Sequence, residues 1–207
     1  MRLLRPDNPL TCVPLRIVDG EGVPGAWLGG RPPTGVTPGG SEAVLRYFAT
    51  VPVSLEPELC VSIFSAELDA LMEARGRVNR AGGLLELMPH SVADRNPTAS
   101  QYDSALSEHS LAFLQATDDW IEDHEGRRIV RPEHKIGGRP HLVRDLPVLV
   151  DALKNLEAEG YSLMAQFDFP CGEDALVSGD WPFADGIFAL LGRSVPSGWD
   201  WRWYWDY

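Results

Sequence analysis

Long apolar runs are missing from this 207-residue sequence. No stretch approaches the roughly 20 residues that a membrane-spanning helix needs, so no membrane role is expected. Cysteine is scarce. Cys12, Cys60 and Cys171 stand at distant, unpatterned positions, which fit neither a disulfide framework nor a zinc knuckle and read as buried thiols of a reducing compartment. Cations are short too: 18 Lys and Arg against 30 Asp and Glu leave a net charge of −12. Nucleic acids and anionic membranes need clustered cations, so neither is an expected partner, whereas a cationic protein would be attracted and its encounter accelerated. The start, MRLLRPDNPLTC, reaches Pro6, Asp7 and Pro9 before any hydrophobic region develops, unlike a secretory signal. The expected location is the cytoplasm.

Catalytic and cofactor signatures are lacking as well. The sequence has no Walker loop, Rossmann fingerprint, EF-hand or His-Glu-x-x-His, and no Gly-x-Ser-x-Gly elbow. Cys171 follows a strand-like segment, but its neighbours Glu173 and Asp174 oppose thiolate formation. Carboxylates are too numerous to nominate a glycosidase pair. No catalytic residue, metal or cofactor is expected.

What is present is an aromatic ladder and a repeat. The last eleven residues, SGWDWRWYWDY, place Trp199, Trp201, Trp203, Trp205 and Tyr207 on one parity, the geometry of a strand with one apolar face. Four indoles at ~200 Å2 each would hide about 800 Å2, a contribution comparable to a domain's net stability. A strand closing a sheet is expected, with two or three indoles in the core and one or two at a rim. The repeat is Leu28-Gly29-Gly30-Arg31-Pro32 and Ile136-Gly137-Gly138-Arg139-Pro140. Strand-like pairs follow each copy: residues 47–53 and 59–66 after the first, 163–169 and 186–192 after the second. A helix over 145–160 stands inside the second copy, with Asp145 as cap, Pro147 in its first turn and Gly160 at its end. Leu149, Val150, Leu153 and Leu156 fall on one face. SEAVLRYF, from Ser41, is the shorter counterpart in the first copy.

Between the copies, residues 65–77 predict a helix with Leu68, Leu71 and Met72 inward, residues 83–90 and 110–116 predict strands, and residues 91–104 a loop. These expectations add up to one α+β domain over residues 1–207. It is built of antiparallel sheet with a few helices and two diverged copies of a Gly-Gly-Arg-Pro, helix, strand, strand module, at about 27–66 and 135–192.

The segments Lys135 to Pro140, Ala165 to Asp168 and Gly186 to Leu190 resemble the YwqG-like family, bacterial proteins largely of unassigned function. That family pattern has a Lys-apolar-Gly-Gly-x-Pro turn, an Ala-Gln-apolar-Asp strand and a Gly-led apolar strand. The resemblance implies an α+β fold with antiparallel sheet and internal duplication. It covers about the last third of the chain well, the first third weakly, and carries over no catalytic residue.

Two functions are weighed. The first is a non-catalytic, acidic protein-binding module, an immunity or antitoxin-type inhibitor that occludes a basic toxin or effector. Carboxylates would steer it and aromatics would anchor it. Its candidate contacts are Asp118, Asp119, Glu122, Asp123 and Glu125 of the run DDWIEDHEG, with Trp181, Trp199 and Trp201. The second is a small-ligand or enzymatic domain whose cleft between the repeats binds an anion through Arg31 and Arg139, the paired glycines offering backbone amides. For each Gly-Gly-Arg-Pro segment, a structural turn whose Arg pairs with a nearby carboxylate outweighs a phosphate site. A metal held by the acidic run, with His124, His134 or His141, is outweighed by a solvated turn.

Overall fold

Short apolar runs, some alternating and some buried throughout, make sheet the main regular structure of this chain. The computed structural model describes residues 11–40, 43–53, 59–94, 96–123, 125–143, 146–169 and 177–206. Asp145, Cys171, His124 and Tyr207 lie outside them. The strands are β1 (Thr11–Val18), β2 (Trp27–Leu28), β3 (Leu45–Pro52), β4 (Cys60–Ala66), β5 (Val78–Arg80), β6 (Leu85–His90), β7 (His109–Phe113), β8 (Thr117–Asp118), β9 (Trp120–Glu122), β10 (Arg128–Val130), β11 (Lys135–Gly137), β12 (Ser162–Phe167), β13 (Ile187–Val195) and β14 (Gly198–Asp206). Among the described residues two α-helices accompany them, α1 (Leu68–Leu71) and α2 (Pro147–Ala158).

Twelve strands form one antiparallel sheet, curled into a half-barrel, in the order β5-β14-β13-β12-β11-β1-β7-β2-β3-β4-β6, with β8 beside β1; β9 and β10 make a separate hairpin. Its two ends, β5 and β6, are sequence neighbours. Residues 81–84 join them, with Gly82 and Leu85 in a bridge and the Ala66 amide donating to the Leu84 carbonyl. No helix among the described residues is long and apolar enough to cross a membrane.

The terminal ladder is the strand β14. It pairs with β13 from Ile187↔Asp206 to Val195↔Gly198 around the turn at Pro196 and Ser197, and its other edge pairs with β5 at Arg202, Trp203 and Tyr204. Trp201, Trp203 and Trp205 enter the main core, while Trp199 lies at its rim. On the polar-looking parity, Tyr204 and Asp206 are buried too. Tyr204 packs with Leu149, Leu156, Tyr161, Leu163, Ala189 and Leu191 beneath α2, forming a second, smaller core. In the other half of the sheet, the expected loop does the covering: the Tyr102 carbonyl accepts the Tyr47 amide, and its ring meets Phe64 edge-on at 6.1 Å.

Several expectations change. The strand expected over 47–53 is β3, and it starts at Leu45, inside the segment expected as a helical turn, with every residue except Arg46 buried in sheet. The helix expected over 65–77 shrinks to α1 and a 3-10 turn, Met72–Ala74, in which Leu71 is buried and Met72 points to solvent. Gly76 follows at φ 65° and donates its amide to the Trp205 carbonyl, ending the helix where the chain must meet β14. Helix α2 starts with Pro147 as expected, and Gly160, at φ 88°, follows its end. Its buried contacts are Leu149 and Leu156, with Leu153 partly buried against them.

Trp203 is 1% exposed and donates its indole N–H to the Arg80 carbonyl at 2.9 Å. Trp203→Ala should therefore lower unfolding free energy by about 3–5 kcal/mol. Trp199→Ala, which gives up a stacked pair with Trp201 at 5.2 Å, should lower it by only about 1 kcal/mol. Urea denaturation of the two variants measures the difference.

Candidate functional site

The two halves of the curled sheet meet through Phe48. It is the extra residue at a β-bulge, since the β3–β4 register shifts between Tyr47 and Ala49, and a bulge re-aims a side chain. Phe48 presents edge-on contacts to Phe167, Trp181, Phe183 and Phe188, with centroids 5.1, 5.2, 5.1 and 5.9 Å away. Beside this hub lies a cleft of about 780 Å3. One wall comes from β3, the end of β4 and the start of α1, the other from residues 179–185.

Aromatic surface and negative charge line that cleft. Phe169 and Trp181 contribute rings, edge-on to each other at 6.2 Å, while the Tyr47 that borders them is buried, with its hydroxyl donating inward to Thr50. Glu67, Asp69, Asp180 and Asp185 contribute carboxylates, against the single guanidinium of Arg46, which lies 3.9 Å from Glu67. Trp181 is only 6% exposed, yet its Nε1 has no hydrogen-bond acceptor among the described residues. Ala184, on the same lip, is the one non-glycine at positive φ (49°) among the described residues, a conformation that carries strain.

The Gly-Gly-Arg-Pro turns resolve differently. Gly29 and Gly30 have φ of 68° each, and Gly137 and Gly138 have 72° and 71°, values that favour glycine. The second turn does cradle an anion, and the anion is the protein's own Asp119. Its Oδ2 accepts the Arg139 amide at 2.6 Å, its Oδ1 accepts from Lys135 Nζ at 2.6 Å, and both side chains are fully buried. A Cβ on Gly138 would stand 2.5 Å from that carboxylate, so the position excludes other residues. In the first turn a Cβ on Gly30 would meet Glu108.

The expected site residues scatter accordingly. Arg139 reaches Glu157 on α2 at 3.5 Å and Arg31 lies 3.8 Å from Asp103, each paired with a carboxylate and neither lining the cleft. Asp119 belongs to the interior, not to a surface that a partner could touch. Its neighbours form the β9–β10 hairpin rather than a solvated turn alone. Asp118 is exposed, 3.9 Å from Arg128. Glu122 pairs in register with Arg128, and Glu125 lies 3.1 Å from Arg127. Asp123 accepts the amides of Glu125 and Arg127 and the Arg127 guanidinium, which holds its carboxyl near about 2. The run is thus largely neutralised from within. Trp201 is 7% exposed, and Trp199 is half-buried against it. Trp181 alone of the named residues lines the cleft. Sequence reasoning missed Glu67, Asp69, Asp180 and Asp185, although DWPFAD, residues 180–185, carries acid and aromatic together.

Burial, aided by Asp119, pushes the Cys12 thiol up to about 12, and burial pushes Cys60 up to about 11, so both stay protonated and unreactive. No cluster of three or more His, Cys, Asp or Glu among the described residues could hold a metal ion. Compared with known proteins, the chain matches no protein-family model and no curated protein.

Two outcomes test this interior. Lys135→Met leaves the Asp119 carboxylate buried without its cation and should cost about 3–5 kcal/mol in urea denaturation. His134 is fully buried, and burial lowers it from 6.5 to about 4. Between those values the unfolded chain holds the extra proton, so stability should fall as pH drops from 6.5 towards 4, by about 3 kcal/mol from this group. His134→Gln should lack that component, and denaturation curves at pH 7 and 4.5 for both proteins would reveal it.

Proposed function

We propose that this protein is a binding module that takes a cationic side chain of a basic protein into the acidic aromatic cleft, and that it serves as an immunity-type inhibitor occluding a basic toxin or effector in the cytoplasm. The cleft lining carries the reading. The rings of Phe169 and Trp181 attract a guanidinium or ammonium group, and four carboxylates against one arginine among the described lining residues add complementary charge that steers such a partner. The net charge of −12 favours the same partner at long range. The docking surface proposed is thus the cleft around Trp181, Asp180 and Asp185 rather than residues 118–125, whose charges are matched by Arg127 and Arg128. An anion reading draws less support, because the Arg139 amide already serves Asp119.

Descent from a duplicated module belongs to the same proposal. Outward from the β1–β7 border, the sheet runs β7-β2-β3-β4-β6 one way and β1-β11-β12-β13-β14-β5 the other. Each half has a positive-φ glycine pair, an acidic residue against its second glycine, and a bulge, at Phe48 and at Met164. A YwqG-like kinship fits the roles of the residues that suggest it. Lys135 and Gly138 lock Asp119, and buried Gln166 accepts the His141 amide at 2.8 Å and donates to the Pro132 and Glu133 carbonyls. On this reading the shared pattern is a structural lock.

An arginine-rich peptide titrated into the protein should change its tryptophan fluorescence, with affinity falling as salt rises. The double variant Asp180→Asn, Asp185→Asn should bind at least tenfold more weakly. Equal binding by the variant would refute the cleft as the site. The inhibitor role requires further that a basic protein from the native host bind one to one and be toxic when expressed alone.

A further inference from the structure

Two serines donate toward histidines in this fold, and they differ in a way that assigns chemistry to one of them. Ser107 Oγ lies 2.8 Å from His109 Nε2, and His109 Nδ1 lies 3.0 Å from Asp19 Oδ1. The carboxylate can only accept, so Nδ1 carries the proton and Nε2 is left as the acceptor. The Ser178 amide donates to Ser107 Oγ at 2.8 Å, which directs the hydroxyl hydrogen to His109. This is the connectivity of a nucleophile, its base and the group that orients the base. Ser107 is half-buried and Asp19 is exposed at the outer end of the chain of bonds.

The second contact, Ser62 Oγ to His90 Nε2 at 2.8 Å, provides the contrast. Ser62 is fully buried, and His90 Nδ1 is bonded to the Ser91 carbonyl rather than to a carboxylate. Tyr47 and Thr50 complete that chain, which joins neighbouring strands and lacks both access and an acid. It is structural.

We propose that Ser107, His109 and Asp19 form a nucleophilic site that accepts acyl groups from carboxylic esters. Ser107 Oγ bonds to the ester carbonyl carbon as its proton passes to His109 Nε2. Collapse of the adduct breaks the bond to the alcohol, which leaves with that proton. Water then attacks the acyl-serine carbon, giving its proton to His109, which returns one to Ser107 as the acid departs. Asp19 holds the imidazole in the required tautomer and faces the imidazolium that forms. Ser107 also ties its segment to residue 178, its amide donating to the Ser178 carbonyl at 2.8 Å. Ala105, Gly179 and Asp180 of these two segments line the cleft, so the nucleophile stands beside the proposed binding surface. The inference goes beyond the binding function and does not require it.

The test is covalent labelling of the full chain by a fluorophosphonate, in which the Ser107 Oγ–P bond forms, fluoride leaves and His109 takes the proton. The expected result is one adduct, at Ser107, located by fragmentation mass spectrometry. It should be absent from Ser107→Ala and from urea-unfolded protein, and unchanged in Ser62→Ala. His109→Gln should label at least 100-fold more slowly. Asp19→Asn, at an exposed position that leaves the core intact, should also label more slowly. No adduct on folded wild-type protein, an adduct at another serine, or wild-type labelling rates in both His109→Gln and Asp19→Asn would overturn the proposal. Loss of arginine-peptide binding with labelling intact would count against the cleft alone.

Discussion

Asp119 and Lys135 meet in the interior with no exposed surface between them, and much of one half of the molecule depends on that contact. Asp119 sits between β8 and β9, Lys135 begins β11, and the Arg139 amide that completes the site closes the turn after it. One ion pair thus fixes the hairpin, the central strand β1 that both β8 and β11 flank, and the entry to β12. A buried pair gains little over an apolar replacement, so its value is positional. A carboxylate needing both an ammonium and a backbone amide accepts one arrangement of three segments. The same demand explains the glycine at 138, where a side chain would collide with the carboxylate.

The other organising contact is apolar. Phe48, turned out of register by its bulge, gathers rings from β12, β13 and residues 181–183. It joins the sheet's halves without any strand pairing between them at that point. The cleft is the space left beside this junction, and its aromatic floor is continuous with the core. A ligand there would contact surface already ordered by folding, which reduces the entropy lost on binding.

Strands were the most legible part of the sequence: alternation marks β3, β12 and the tryptophan strand β14, continuous apolar runs mark β4 and β13, and β6 and β7 also stand close to the segments expected for them. Local signals failed where tertiary contacts decide. SEAVLRYF has helix-compatible residues, but its last four, Leu45 to Phe48, are the start of β3, which pairs with β4. The acidic run reads as solvated by composition, yet one of its carboxylates is interior because a lysine 16 positions later lies against it. Trp181 was legible as an aromatic anchor, but the carboxylates around it come from residues 67–69 and 180–185, brought together only by curling. Asp19 and His109, 90 positions apart, carry no shared motif at all.

The sheet's ends are also neighbours along the chain. Residues 81–84 run from β5 at one extremity to β6 at the other, with Gly82 and Gly83 at positive φ and open space around both. A long curved sheet normally presents two rows of unsatisfied backbone groups, each a template for another chain. Here residues 81–84, with their Gly82–Leu85 bridge, tether the outermost strand of one margin to that of the other, so neither row can drift far from its counterpart.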